Sequence, residues 1–473
     1  MSLAPANKIP DEAMGSATRK TWKAGTLVYT SVSLVALFLW LVGGDFALAL
    51  RDRGSGQVFQ LLIQKYGASD TFTALLMGSI PSVFALFLGP VISYKSDRHR
   101  GRWGRRIPFL LLSTPFAVVA MAGMAFSPIL GGALHHLLGP RSPGSSMSVL
   151  LFLSLFWIMF DFASIIAAAV FVALLNDVVP QHFLGRIFGA FRGVGLAAGI
   201  IFNHWIYGVA ATQYFWIFLG MAALSGLGNL IVCLKVKEGE YPPPAPVQAA
   251  PGVASFFAAA KGYFQECLGH SYYWWFYIFS ILCVIAGNPV NLFSLYYALA
   301  LKLNTQQYGD CLALTYFISF LLSYPWGALA DHVHPLRLSL ASLAIYALVA
   351  ATGGFFIRDV TSFEIAFIAH GVAAGLIITS CASLGLRLLP RSNFAQFASA
   401  GGILGCTVGI FFGPFVGLIL DHLGHVYRYT FFMSSLLTAA AFICGLILHA
   451  KFMALGGPDK YVAPQSARGT RPE

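Results

Sequence analysis

Long apolar stretches separated by short polar gaps recur along the whole chain. They fall at 25–50, 72–94, 107–128, 148–174, 185–210 and 213–234, and again at 272–300, 308–330, 336–357, 362–386, 394–420 and 427–450. Each is long enough to cross a hydrocarbon layer about 30 Å thick as a helix that satisfies its own backbone. The alternating ten-residue pattern of a membrane barrel does not occur. The pattern predicts an all-α integral membrane protein of twelve transmembrane helices, arranged as six plus six.

The longest polar interruption, Lys235 to His270, separates the two sets. It opens with Lys-Val-Lys-Glu-Gly-Glu and continues into Tyr-Pro-Pro-Pro-Ala-Pro, the composition of a semi-rigid linker. Within it, 255–268 reads as a short helix lying on the membrane. The expected organisation is a tail at 1–24, a six-helix bundle at 25–234, a linker at 235–270, a second bundle at 271–450 and a tail at 451–473.

Composition agrees: of 473 residues 58% are hydrophobic and 10% charged. The net charge of +11 could suggest a nucleic-acid partner, but the basic residues sit in loops and tails. Six Lys and Arg crowd into 95–108, Lys-Ser-Asp-Arg-His-Arg-Gly-Arg-Trp-Gly-Arg-Arg-Ile-Pro. Placing that loop in the cytoplasm puts 22 Lys and Arg inside and leaves 7 outside: Arg51, Arg53, Lys65, Arg141, Lys302, Arg358 and Arg428. This asymmetry predicts a multi-pass cell-membrane protein with both termini cytoplasmic. The seven cysteines are scattered singly, so no disulfide and no metal site is expected. The polar N-terminus and long first run read as a retained helix, not a cleaved signal. No phosphate loop, HExxH or GxSxG element occurs, so neither an enzyme nor a cofactor is expected.

The two sets also echo each other. Gly-Ala-Leu-Ala-Asp at 327–331 ends helix 8 as Ser-Tyr-Lys-Ser-Asp at 93–97 ends helix 2, and Leu-Leu-Pro-Arg at 388–391 precedes helix 11 as Val-Val-Pro-Gln at 178–181 precedes helix 5. Such repetition predicts two parallel repeats about an axis along the membrane normal, with a cavity between them. This is the architecture of the major facilitator superfamily.

Asp97-Arg98, then Arg102-Trp103-Gly104-Arg105-Arg106 and Pro108, resembles the loop of that superfamily's glycoside-pentoside-hexuronide branch, which includes melibiose and sucrose carriers. Gly44-Asp45-Phe46-Ala47, Asp161 in helix 4 and Arg192 in helix 5 resemble the branch's sugar-contacting positions. The resemblance implies a proton-coupled symporter of a saccharide or glycoside, working by alternating access as a monomer in the bilayer. It has departures. Ala85 and Gly89 precede Pro90 where sodium-coupled carriers have an Asp pair, so no sodium site is implied. Val172 replaces an Arg of sucrose carriers, and Ile165 replaces a sugar-stacking Trp. The particular sugar stays open.

Asp161 lies about thirteen residues, or about 20 Å, into its predicted helix, near mid-membrane. An ionised carboxylate there costs about 2.5–3.5 kcal/mol, which makes an intramembrane acid a functional candidate. Asp161 and Asp45 are the expected substrate and proton-coupling carboxylates, with Arg192 as a partner that favours the Asp161 anion. The alternatives are a static helix 4–helix 5 ion pair, an interfacial Asp45 paired with Arg51, and an Arg192 that snorkels. Asp97, Arg98, Arg105, Arg106 and, in the second half, Asp331 are expected to form a cytoplasmic gate, because a topology signal alone needs the cations and not Asp97. Asn203 and His204 in helix 5, Asn288 and Asn291 in helix 7, His370 in helix 10 and Gln396 in helix 11 are further polar groups that could face the cavity or bond helix to helix. Two other readings stay open: an exporter of drugs or organic ions on the same fold, and a non-transporting membrane sensor or assembly factor.

Overall fold

The structure, a computed structural model, describes residues 21–241, 253–391 and 393–464. The Pro-rich part of the linker, most of the first expected tail (1–20) and the end of the second (465–473) lie outside these residues. A short hairpin of β1 (Trp22–Ala24) and β2 (Leu27–Tyr29) leads into the first half. That half contains α1 (Ser31–Lys65), α2 (Asp70–Ala74) running through a π-turn (Leu75–Ser79) into α3 (Ile80–Arg98), α4 (Ile107–Leu138), α5 (Ser145–Val178), α6 (Gln181–Ile201) and α7 (Ala210–Lys235). After α8 (Val253–Leu268), the second half contains α9 (Ser271–Ile285), α10 (Asn288–Ala300), α11 (Thr305–Val333), α12 (Pro335–Phe356), α13 (Val360–Cys381), α14 (Leu384–Leu388), α15 (Phe394–His422) and α16 (Tyr429–Ala454), followed by the short α17 (Gly457–Lys460).

Eleven helical runs among the described residues are long and apolar enough to span a membrane, and one of them, Gln181–Lys235, has 55 residues. At 1.5 Å per residue that run is about 80 Å long, enough for two passages, so twelve spans are present. Side-chain caps start several helices: Thr30 with Ser33 before α1, Asn304 with Gln307 before α11, and Asp359 with Ser362 before α13 form reciprocal capping boxes. The expected helix 7 is interrupted at Ala286-Gly287, and Asn288-Pro289 opens α10, where proline's missing N–H has no partner to lose.

The first helix departs most from the pattern. The apolar run stops at 50, but α1 continues unbroken to Lys65. Arg51 and Arg53, expected outside the membrane, are therefore mid-helix. Arg51 is 2% exposed, its Nε and a terminal nitrogen donating to Asp52 at 2.8 and 2.7 Å, with its guanidinium 5.3 Å from the Phe160 ring centroid. A hydropathy run ends where charge begins; the helix continues because the charge has a partner.

Within the first half α4 packs on α5 and α7, and α1 on α6 and α7; within the second, α12 packs on α13 and α16. The halves meet along two seams, α2–α3 against α15 and α6 against α11, as a two-fold arrangement requires. At the end of the bundle opposite the 95–108 loop, the far end, one apolar core runs through both halves, from Phe59 and Trp157 to Tyr296, Tyr308 and Phe431. At the loop end the core is split. Leu41, Phe171 and Leu174 belong to a first-half cluster, and Tyr277, Leu343 and Phe397 to a second-half one. The halves are thus joined at the far end and parted at the loop end.

Candidate functional site

Between the halves lies a cavity of about 620 Å³, within the usual range for small-molecule sites. From the first half, α1 contributes Arg53, Gln57 and Gln60, and α6 contributes Arg192. The spacing of four and three residues puts the α1 groups on one helix face. From the second half come Asn291 and Ser294 of α10, Tyr308, Thr315, Tyr316 and Ser319 of α11, and His370 of α13. Amides, hydroxyls and guanidiniums thus dominate its polar surface.

Two arginines cross from one half to the other. A terminal nitrogen of Arg53 donates to the Tyr316 hydroxyl at 3.1 Å, and the guanidinium carbon stands 4.9 Å from that ring's centroid. Arg192 donates to Thr379 Oγ1 at 2.8 Å. On the second-half wall, buried His370 is held between the Tyr346 hydroxyl, 2.8 Å from Nδ1, and Asn291 Oδ1, 3.1 Å from Nε2. With the proton on Nε2, His370 donates to Asn291 and accepts from Tyr346, and the Asn291 Nδ2 group is left to other acceptors.

The far end closes the cavity. Gln60 Nε2 donates to the Leu292 carbonyl. Thr73 and Tyr296 share a hydrogen bond of 2.8 Å, and Thr305 Oγ1 donates to the Gly208 carbonyl at 2.7 Å. Above these, Asp421 of α15 accepts from the N–H groups of Asp70 and Thr71 at 2.9 and 3.0 Å and from Thr71 Oγ1 at 2.6 Å, so a carboxylate of the second half caps the start of α2 in the first. Asp70 in turn accepts from Tyr427 at 3.2 Å and pairs with His425 Nδ1 at 2.8 Å. The hydrogen bond to Asp70 raises the His425 pKa above its ordinary value. A Cβ at Gly417 would stand 2.6 Å from the Asp70 carbonyl oxygen, and one at Gly413 3.1 Å from that of Ala74, so the seam closes backbone to backbone only over glycine.

Of the residues singled out from sequence, Arg192 lines the cavity, whereas Asp45 and Asp161 are not part of this lining. Asp161 sits near the middle of α5 with Oδ2 buried and lacking a hydrogen-bond partner. Asp45 is half-buried in α1. The expected Asp161–Arg192 pair is not formed in this structure, because Arg192 reaches across the cavity to Thr379 instead.

The loop-end charges are organised within each half. Arg105 makes a two-point contact with Asp177, at 2.9 and 2.5 Å, and lies 4.0 Å from the Tyr241 ring centroid. Arg106, largely buried, binds Asp97, Asp177 at 3.0 Å and Ser96 at 2.5 Å. Glu238 accepts from the N–H groups of Arg105, Arg106 and Ile107 at 2.9, 2.8 and 2.8 Å, capping α4. Gly104, at φ +100° with Glu238 against it, leaves no room for a side chain. Arg98 stacks over Tyr94, and Asp331 pairs with Arg387 at 2.8 Å. Sequence reasoning missed Asp177, Glu238, Asp70, Asp421, His425 and the cavity role of Arg53. Only Arg53 carried a usable signal, three residues beyond an apolar run and two from another cation.

Residues 279–468 match the family model of the Major Facilitator Superfamily. A stretch of 103 residues is 33% identical to "Putative metabolite transport protein NicT" of Pseudomonas putida; it covers 21% of this chain and 22% of that relative, so the chain matches about a fifth of the relative's length. Among solved structures, a bacterial homologue of the human lysosomal transporter Spinster, inward-facing and occupied, superposes with a TM-score of 0.61 at 16% identity, over 90% of this chain and 97% of that one. A D-xylose-proton symporter gives 0.60 at 13% identity, over 92% and 98%. The inward-open xylose transporter XylE of E. coli gives 0.56 at 14%, over 87% and 95%. The protein has the fold of the major facilitator superfamily.

Proposed function

We propose that this chain is a secondary active transporter, related to the glycoside-pentoside-hexuronide branch, that moves a small hydroxyl-rich solute of the saccharide class with protons by alternating access. The observation that carries this reading is the cavity between the halves, closed at the far end and lined by amides, hydroxyls and guanidiniums suited to a polyhydroxyl solute. In this reading the bundles 25–234 and 271–450 rock as units joined by the 235–270 linker. The loop end faces the cytoplasm of a cell-membrane protein acting as a monomer.

Asp45, Asp161 and Arg192 are assigned to solute, and Asp161 and Asp45 to the coupling proton. Asp161 suits that role because its Oδ2 is buried without a partner, and a carboxyl so placed gains most from taking up a proton. Asp97, Arg98, Arg105, Arg106 and Asp331 are assigned to a gate whose contacts exchange when the loop end closes. The test is uptake of radiolabelled saccharides, neutral and acidic, into proteoliposomes with and without a proton gradient. Gradient-driven accumulation that Asp161→Asn abolishes while sparing exchange is expected; no gradient-dependent uptake of any solute would remove the reading.

A further inference from the structure

Two arginines project into a cavity whose lining, among the described residues, contains no Asp or Glu. Among the described residues neither Arg53 nor Arg192 has a carboxylate partner: each donates to a neutral hydroxyl, of Tyr316 and Thr379 respectively. The Thr379 hydroxyl donates onward to the Gly375 carbonyl at 2.8 Å, so it meets Arg192 as an acceptor. The acids closest along the chain do not offset these charges. Asp52 is engaged by Arg51, Asp177 by Arg105 and Arg106, and Asp45 and Asp161 stand outside the lining. Both residues are exposed to the cavity, so a solute that enters it meets two positive charges that no carboxylate among the described residues offsets.

We infer that Arg53 and Arg192 form a carboxylate-selective site, so that the cargo is a hydroxylated organic acid such as a sugar acid and not a neutral sugar. The inference rests on the transport reading above and narrows its substrate. A carboxylate is the stronger acceptor, because it brings the opposite charge and can meet a guanidinium through two parallel hydrogen bonds where a hydroxyl meets it through one. The amide of Asn291, the hydroxyls of Ser319 and Thr315 and the side chain of Gln57 are left for the solute's own hydroxyls. The same exchange acts on the protein. Each arginine belongs to the first half and each hydroxyl to the second, so a carboxylate that draws a guanidinium off Tyr316 or Thr379 breaks a bond between the halves. An anion therefore alters the contact between the moving bodies, which a neutral sugar competing with a hydroxyl does only weakly.

The test compares matched solutes that differ by one carboxylate: D-galacturonate with D-galactose, and D-gluconate with sorbitol. Uptake and competition are measured in proteoliposomes for the wild type and for Arg53→Gln, Arg192→Gln and the two Arg→Lys forms, each checked for monodispersity and thermal stability. The acid of each pair is expected to be preferred by about tenfold or more, the scale of 1.4 kcal/mol. Either Gln variant should erase most of that preference, and Lys should restore part of it. Equal or better transport of the neutral member by the wild type would overturn the carboxylate site and leave the transport reading standing. So would an acid preference unchanged in both Gln variants. Transport of neither member under any gradient would instead remove the transport reading, and this inference with it.

Discussion

The two ends of the bundle hold their polar groups in opposite ways. At the far end the hydrogen bonds run between halves: Asp421 to Asp70 and Thr71, His425 to Asp70, Tyr296 to Thr73, Gln60 to Leu292. At the loop end they run within halves, from Arg105 and Arg106 to Asp177 and from Arg387 to Asp331. Groups that bond across the interface set which way the protein faces; groups that bond within a half keep that half rigid while it moves. The richer charge cluster, at the loop end, is therefore the less informative about the present state, and the seam over Gly413 and Gly417 is what closes this form.

Substitutions can separate these roles. Gly417→Leu should have the largest effect, since its Cβ alone would stand 2.6 Å from the Asp70 carbonyl. Spin labels across the far end should then report a widened distance in most molecules, and an unchanged distance would show that the seam is not limiting. Arg106→Ala should lower thermal stability by about 3 kcal/mol, the cost of breaking a buried charge network, without changing either inter-half distance. A shift of conformation in that variant would contradict the separation of roles. Asp421→Ala removes three acceptor contacts. It should favour far-end opening by about 2 kcal/mol, read as a shift between the two spin-label distances with little change in unfolding.

The smallest effect is that of pH. Because its pKa lies above the ordinary 6.5, the His425 contribution to the seam is complete at pH values below 6.5 and is lost as pH rises through the raised value. Above it the imidazole is neutral beside Asp70 and Asp421, with Tyr427 the other titratable group bound to Asp70. Opening of the far end should therefore increase with alkaline pH, and His425→Gln should flatten that dependence.

The pattern of apolar runs showed the twelve spans, the six-plus-six division and the mid-helix depth of Asp161, because a bilayer imposes length and hydropathy on every crossing segment. It did not show α1 passing through Arg51-Asp52-Arg53, since a run ends at charge whether or not the charge is neutralised within the fold. The cross-half partners were beyond it for another reason: Asp70 and Asp421 lie 351 positions apart. Nothing local in Leu-Asp-His marks that aspartate as a helix cap for another half. Arg192, singled out from sequence, lines the cavity, but its partner was chosen by chain proximity, and the structure gives it Thr379.

The measurement that bears most directly on the central claim is accessibility of the cavity from each end. With the seven native cysteines replaced by alanine, a single cysteine at Ser319 should be alkylated by a membrane-impermeant reagent applied at the loop end and protected from the same reagent applied at the far end. Labelling from the far end alone, or equally from both, would contradict a cavity sealed by the α2–α15 seam and open between the two loop-end cores.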